Sequence, residues 1–169
     1  PAELDRIHAV AEHLGIAAHV SVRVNPNIDA HVDAHVATGL GDSKFGVKLT
    51  DVIPLYEKAA RLPMIRIEGI SCHIGSQVES ADPYLRMVTV LAGFVNELAR
   101  RGIVLHHIDL GGGAGVAYHP DEKPLEPSEL IPALIKAVRE VVSVPGIEIF
   151  VEPGRSVIAQ AAALLTTVQ

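Results

Sequence analysis

Four runs of strand character, each separated from the next by a segment of helical periodicity, limit the folds open to this chain. The runs are residues 19–25 (HVSVRVN), 65–74 (IRIEGISCHI), 104–110 (VLHHIDL) and 147–151 (IEIFV). Helical spacing of apolar residues precedes the first in Leu4, Ile7, Val10, Ala11 and Leu14. It returns over 51–62, in Leu85, Val88, Leu91, Ala92, Val95 and Leu98, and over about 14 residues from Ser128. Pro26 ends the first strand, since proline lacks the amide a ladder requires. Gly15 and Gly102 close two helices, Asp82 and Ser128 stand where caps belong, and Pro83 takes a first helical position. No Asn-Gly or Asp-Gly turn joins two strands, so the pattern is that of βαβ units and a parallel sheet.

A doubly wound sheet and a barrel both satisfy that pattern. Polar side chains decide between them: Arg23, Ser71, His73, His107 and Asp109 share one parity of their strands. Central strands of an open parallel sheet are apolar on both faces, so these residues favour a barrel interior. The expected fold is a (β/α)8 TIM-type barrel of which four units, about the second half, are present. Both ends, at Pro1 and in the apolar run up to Gln169, read as cuts within a longer protein.

Apolar residues make up 49% of the 169, enough for a packed core and too many for disorder. The balance of 14 Lys+Arg against 20 Asp+Glu argues against nucleic acid as a partner. No run approaches the roughly 20 apolar residues of a membrane helix. No secretory signal opens the chain, and Cys72, the one cysteine, allows no internal disulfide. These features point to the cytoplasm.

The unusual residues gather at the C-terminal strand ends, the rim on which βα barrels build active sites. Gly111, Gly112 and Gly113 directly follow a strand, where bare backbone can approach an anion or simply make a tight turn. The dinucleotide pattern fails because Val116 holds its last glycine position. Ser76 and Arg155 on neighbouring strand ends tip the reading towards phosphate. His73 is either a hydrogen-bonded core residue or a flat ring stacked on a planar cofactor. Glu152 and Arg155 flank Pro153 and Gly154, and form either an ion pair or two separate grips. In the second case the carboxylate meets a protonated ring nitrogen and the guanidinium meets a phosphate or carboxylate. Arg23 is placed to set the charge state of Glu152. His31 and His35 have zinc-pair spacing, but no glutamate follows His31 and the segment reads as loop, so no metal is expected. His106 and His107 have opposite parity and cannot chelate together. Cys72 faces the outer helices as a small apolar residue.

Five motifs then occur in order: Val22-Arg23-Val24-Asn25-Pro26, Thr38-Gly39 with Lys44-Phe45-Gly46, His73-Ile74-Gly75-Ser76-Gln77, Asp109-Leu110-Gly111-Gly112-Gly113, and Glu152-Pro153-Gly154-Arg155-Ser156. Together they resemble diaminopimelate decarboxylase, of the alanine-racemase-like fold-type III pyridoxal-phosphate enzymes, across nearly the whole chain. The resemblance implies conversion of meso-diaminopimelate to lysine and CO2 by a homodimer. His73 would stack on the pyridoxal ring. Ser76, Gly111, Gly112, Gly113 and the Pro153–Arg155 backbone would hold the phosphate. Glu152 would pair with the pyridine nitrogen, Arg155 would also meet a substrate carboxylate, and Arg23 would stand behind these residues. The family's Schiff-base lysine has no counterpart among Lys44, Lys48, Lys58, Lys123 and Lys136, and its catalytic cysteine lies in a C-terminal β-domain beyond these residues. The expectation is therefore a barrel half over 1–156. The segment 157–169, with Val157–Val168 as a strand, would lead into the β-domain, and the stretch alone would be inactive. A decarboxylase of ornithine, arginine or carboxynorspermidine type and a non-catalytic homologue are the alternatives. A phosphate-binding barrel without pyridoxal is a further one.

Overall fold

The four strand-like runs lie side by side in one sheet of the computed structural model, which describes residues 2–30, 45–161, 163 and 165–167. The elements are α1 (Ala2–Leu14), β1 (Ala18–Val24), α2 (Leu49–Ala60), β2 (Ile65–Cys72), α3 (Asp82–Arg100), β3 (His107–Asp109), α4 (Pro127–Val141), β4 (Glu148–Phe150) and α5 (Arg155–Ile158). All neighbouring strands are parallel and their order is β1-β2-β3-β4. Doubly wound sheets reverse strand order at a switch point, whereas a barrel adds strands in sequence. The order here is the barrel's.

The register sorts the side chains. Val22, Ile70, Ile108 and Ile149 stand in one cross-strand row. They pack with Val88, Leu91, Val95 and Leu98 of α3 and Leu130, Leu134 and Val138 of α4 in one core. Each such buried aliphatic side chain contributes roughly 1.5–3 kcal/mol. Arg23, Ser71, Asp109 and Phe150 form the next row, on the opposite face. The register shifts between Val20 and Ser21, which partner Ile67 and Gly69 and leave Glu68 between them. That bulge keeps Ile67 towards the helices and Ser71 towards the other face.

Three local expectations need correction. Asp82 is the first helical residue rather than the cap, which is Ala81 without a side-chain bond. Pro127, not Ser128, opens α4. Proline's fixed φ is already helical and it has no amide to satisfy, so it takes the first position and Ser128 falls inside the first turn. The Val157–Val168 strand does not form among the described residues: Arg155–Ile158 is a helical turn and Ala159–Ala161 a turn. That run lacks the period-two alternation of a half-buried strand, so nothing in it enforces strand geometry.

Both outer strands border grooves lined in part by apolar side chains. Leu4, Ile7, Val20, Val22 and Leu55 line the one beside β1, and Ile135, Val142, Val144, Ile147 and Ile149 the one beside β4. Open edges flanked by apolar surface recruit other chains. The 169-residue chain by itself is expected to self-associate in sedimentation velocity, with species growing as concentration rises. A cooperatively melting monomer would contradict this.

Candidate active site

Chain path and glycine content bring three strand ends into contact above β2, β3 and β4. Asp109 ends β3 and accepts the Gly111 amide on Oδ1 at 2.9 Å, a turn the short acid side chain favours. Gly111 and Gly113 have φ of +66° and +94°. A β-carbon at Gly111 would strike the Cys72 carbonyl oxygen, one at Gly112 that of Glu152, and one at Gly113 that of Gly75. The three glycines thus let the β3 end lie against both neighbours. Glu152 donates its amide to the Gly111 carbonyl at 2.8 Å, and Val78 donates to that of Gly113 at 2.9 Å. Tyr84 of α3, buried, donates its hydroxyl to the Gly112 carbonyl at 3.0 Å.

His73 continues β2 beside this turn. Gly112 donates its amide to His73 Nδ1 at 3.3 Å, which places the ring's own proton on Nε2. Burial, and then the Arg23 charge, lower the histidine pKa, while Asp109 opposes them. His73 is therefore a neutral flat ring at pH 7. Arg23 faces the same side from β1, its guanidinium carbon 5.1 Å from the Phe45 ring centroid. Gly46 presses so closely on the Val24–Asn25 backbone that a β-carbon there would sit 2.7 Å from the Asn25 nitrogen.

Glu152 and Asp109 form a pair of acids at the β3 and β4 ends. Partial burial, followed by the Asp109 charge, raises the Glu152 pKa, and Arg23 pulls it back. Arg155 makes no ion pair with Glu152 among the described residues. Its Nη1 donates to Tyr118 Oη at 3.1 Å and faces Gln77 Oε1 at 3.5 Å, with the guanidinium carbon 5.9 Å from the Tyr118 ring centroid. The ion pair of the first reading therefore does not form among the described residues. Ser76 is half-buried between Gly75 and Gln77 at the same mouth. Pro153 and Gly154 connect Glu152 to the helical turn that carries Arg155.

Cys72 points into the core at 1% exposure, and burial pushes its thiol up to about 12, so it is no nucleophile at neutral pH. Among the described residues no group of three His, Cys, Asp or Glu could hold a metal. His31 and His35, with Thr38, Gly39 and Lys44, lie outside the described residues. Sequence reasoning assigned no role to Asp109, Gln77 or Tyr118. An acid two residues before a glycine run is a legible turn signal. Gln77 closes one of the five motifs, but nothing in the sequence marks its left-handed φ of +64° or its partner across the loops.

A family model described as "Pyridoxal-dependent decarboxylase, pyridoxal binding domain" matches residues 1–159. Diaminopimelate decarboxylase of Pseudomonas aeruginosa is 41% identical over 167 residues, 99% of this chain and 39% of that protein. The Neisseria meningitidis serogroup A enzyme is 41% identical over 99% of this chain and 40% of its own length. Among solved structures, diaminopimelate decarboxylase from Helicobacter pylori complexed with L-lysine superposes with a TM-score of 0.88 at 32% identity. It covers 95% of this chain and 39% of that one. The M. jannaschii enzyme in co-complex with L-lysine gives 0.83 at 32%, over 95% and 38%. The chain thus spans about two fifths of the length of these relatives, and its sheet is a part of their TIM barrel. Matched over 1–159, a span that takes in every described helix and strand, the chain belongs to the pyridoxal-dependent decarboxylases as part of their pyridoxal-binding domain.

Proposed function

We propose that this chain is the cofactor-gripping portion of a diaminopimelate decarboxylase, which removes one carboxyl group of meso-diaminopimelate as CO2 and yields L-lysine. One observation carries the reading: the His73 ring and the Glu152 backbone each hydrogen-bond to the Gly111–Gly113 turn at the strand ends. The relatives named above carry that activity in their names, and two of their structures hold L-lysine.

The residues present fit pyridoxal phosphate. A glycine run without side chains suits a phosphate, a neutral imidazole suits a ring face, and a carboxylate suits a pyridinium. When bound, the cofactor supplies an electron-poor ring that draws off the pair left as CO2 departs. Glu152, ionised, holds a proton on the ring nitrogen and so keeps that ring electron-poor. Arg23 supports the ionised form of Glu152 against the Asp109 charge. His73 covers one ring face. Ser76, the glycines and the Pro153–Arg155 backbone hold the phosphate, and Arg155 meets a substrate carboxylate. The reading places the family lysine and cysteine outside residues 1–169, the barrel portion in 1–156, and the link to a β-domain in 157–169. It makes the enzyme a cytoplasmic homodimer.

The test uses the longer polypeptide that includes the lysine strand and β-domain. It should be yellow with bound cofactor, lose that colour to borohydride, and release CO2 from meso-diaminopimelate in preference to ornithine, arginine or carboxynorspermidine. A colourless protein, or one that prefers another amino acid, sinks the proposal.

A further inference from the structure

Gln77 is the residue at this mouth whose conformation the fold does not explain. Among the described residues only Asn27 and Gln77 have positive φ without being glycine. Asn27 sits in a local turn, its amide donating to Asn25 Oδ1 at 2.9 Å. Gln77, at φ +64°, makes no such local bond; its side chain instead reaches 39 residues along the chain. Nε2 donates to the Val116 carbonyl at 2.6 Å and Oε1 accepts the Val116 amide at 3.2 Å. The amide thus behaves as a piece of strand backbone, beside the parallel bridge between Val78 and Ala114. The same Oε1 faces Arg155 Nη1, and two residues beyond Val116 stands Tyr118, the other partner of Arg155. A left-handed non-glycine residue persists where its surroundings demand it, and it clusters at functional sites.

We propose that Gln77 is a positioning residue: it ties the loops after β2, β3 and β4 together and orients Arg155 to receive an anionic group. Both hydrogen bonds of Arg155 given above run through Nη1, and a guanidinium held at one nitrogen offers its remaining edge as a fork for a carboxylate or phosphate. The role rests on the decarboxylase reading for the identity of that anion, the substrate carboxylate or the cofactor phosphate.

Gln77→Gly separates side chain from backbone, because glycine adopts φ +64° freely and only the clamp is lost. In the intact enzyme this variant should still fold and keep kcat. Loss of one charge-assisted contact predicts an increase of about tenfold in KM or in the cofactor dissociation constant. A rise in substrate KM alone assigns Arg155 to the carboxylate; weaker binding of pyridoxal phosphate but not of pyridoxal assigns it to the phosphate. Unchanged values for both overturn the proposal. Exchange of the Arg155 Nη protons, followed by NMR without cofactor, gives a readout independent of activity. It should quicken in Gln77→Gly, and equal exchange also counts against the clamp. A parent that binds neither cofactor nor substrate sinks the decarboxylase reading, while the exchange measurement still judges Gln77.

Discussion

Replacing Glu152 by alanine in the intact enzyme is expected to lower kcat by about 10²–10³-fold while the cofactor stays bound, the scale of one lost electrostatic contact at a reacting centre. The bond that joins Glu152 to the glycine turn is made by its backbone amide, not by its carboxylate. The grip therefore survives, and only the hold on the ring nitrogen is lost. Equal losses in kcat and cofactor affinity would mean that Glu152 anchors rather than tunes, and an unaffected kcat would favour a phosphate-binding barrel without pyridoxal. The companion variant Asp109→Asn keeps an oxygen for the Gly111 amide and removes a charge. Asp109 raises the Glu152 pKa, so its neutralisation lowers that pKa and Glu152 stays ionised further into acid. The acid limb of kcat against pH should move to lower pH. A limb that stays put or moves up would separate it from Glu152.

Gly113→Ala should cost about 2–4 kcal/mol, read as a lower urea midpoint of the intact enzyme, with cofactor affinity falling alongside. Two costs combine. At φ +94° a β-carbon strains the backbone, and that carbon runs into the Gly75 carbonyl oxygen, which is backbone and cannot turn aside. Gly15→Ala is the control. Its φ is +67°, yet nothing lies within 4 Å of the added carbon, so only the backbone cost of about 1–2 kcal/mol remains. Equal midpoints for the two variants would show that the close packing of the strand ends contributes nothing.

Much of this architecture is written in local pattern. Alternation in 19–25, helical spacing from Leu85 to Leu98 and the missing hairpin turns specify parallel strands with helices between them, because residue periods of two and 3.6 sort side chains to faces whatever the rest of the chain does. Strand parity likewise assigns Arg23, Ser71 and Asp109 to one face and Cys72 to the other, as the register shows. Glycines directly after a strand announce a close backbone approach.

Chain-order reading stops where contacts join distant segments. That Arg155 does not pair with Glu152 turned on Tyr118 and Gln77, which lie 37 and 78 residues from Arg155 and whose contact with it no local pattern announces. The turn at Arg155–Ile158 also escaped, since four residues are too few to show a period. Local geometry follows from residue spacing, whereas the aim of a side chain and the charge on a carboxylate follow from which loops the fold brings together. Those are set by long-range packing and by fields that reach across it.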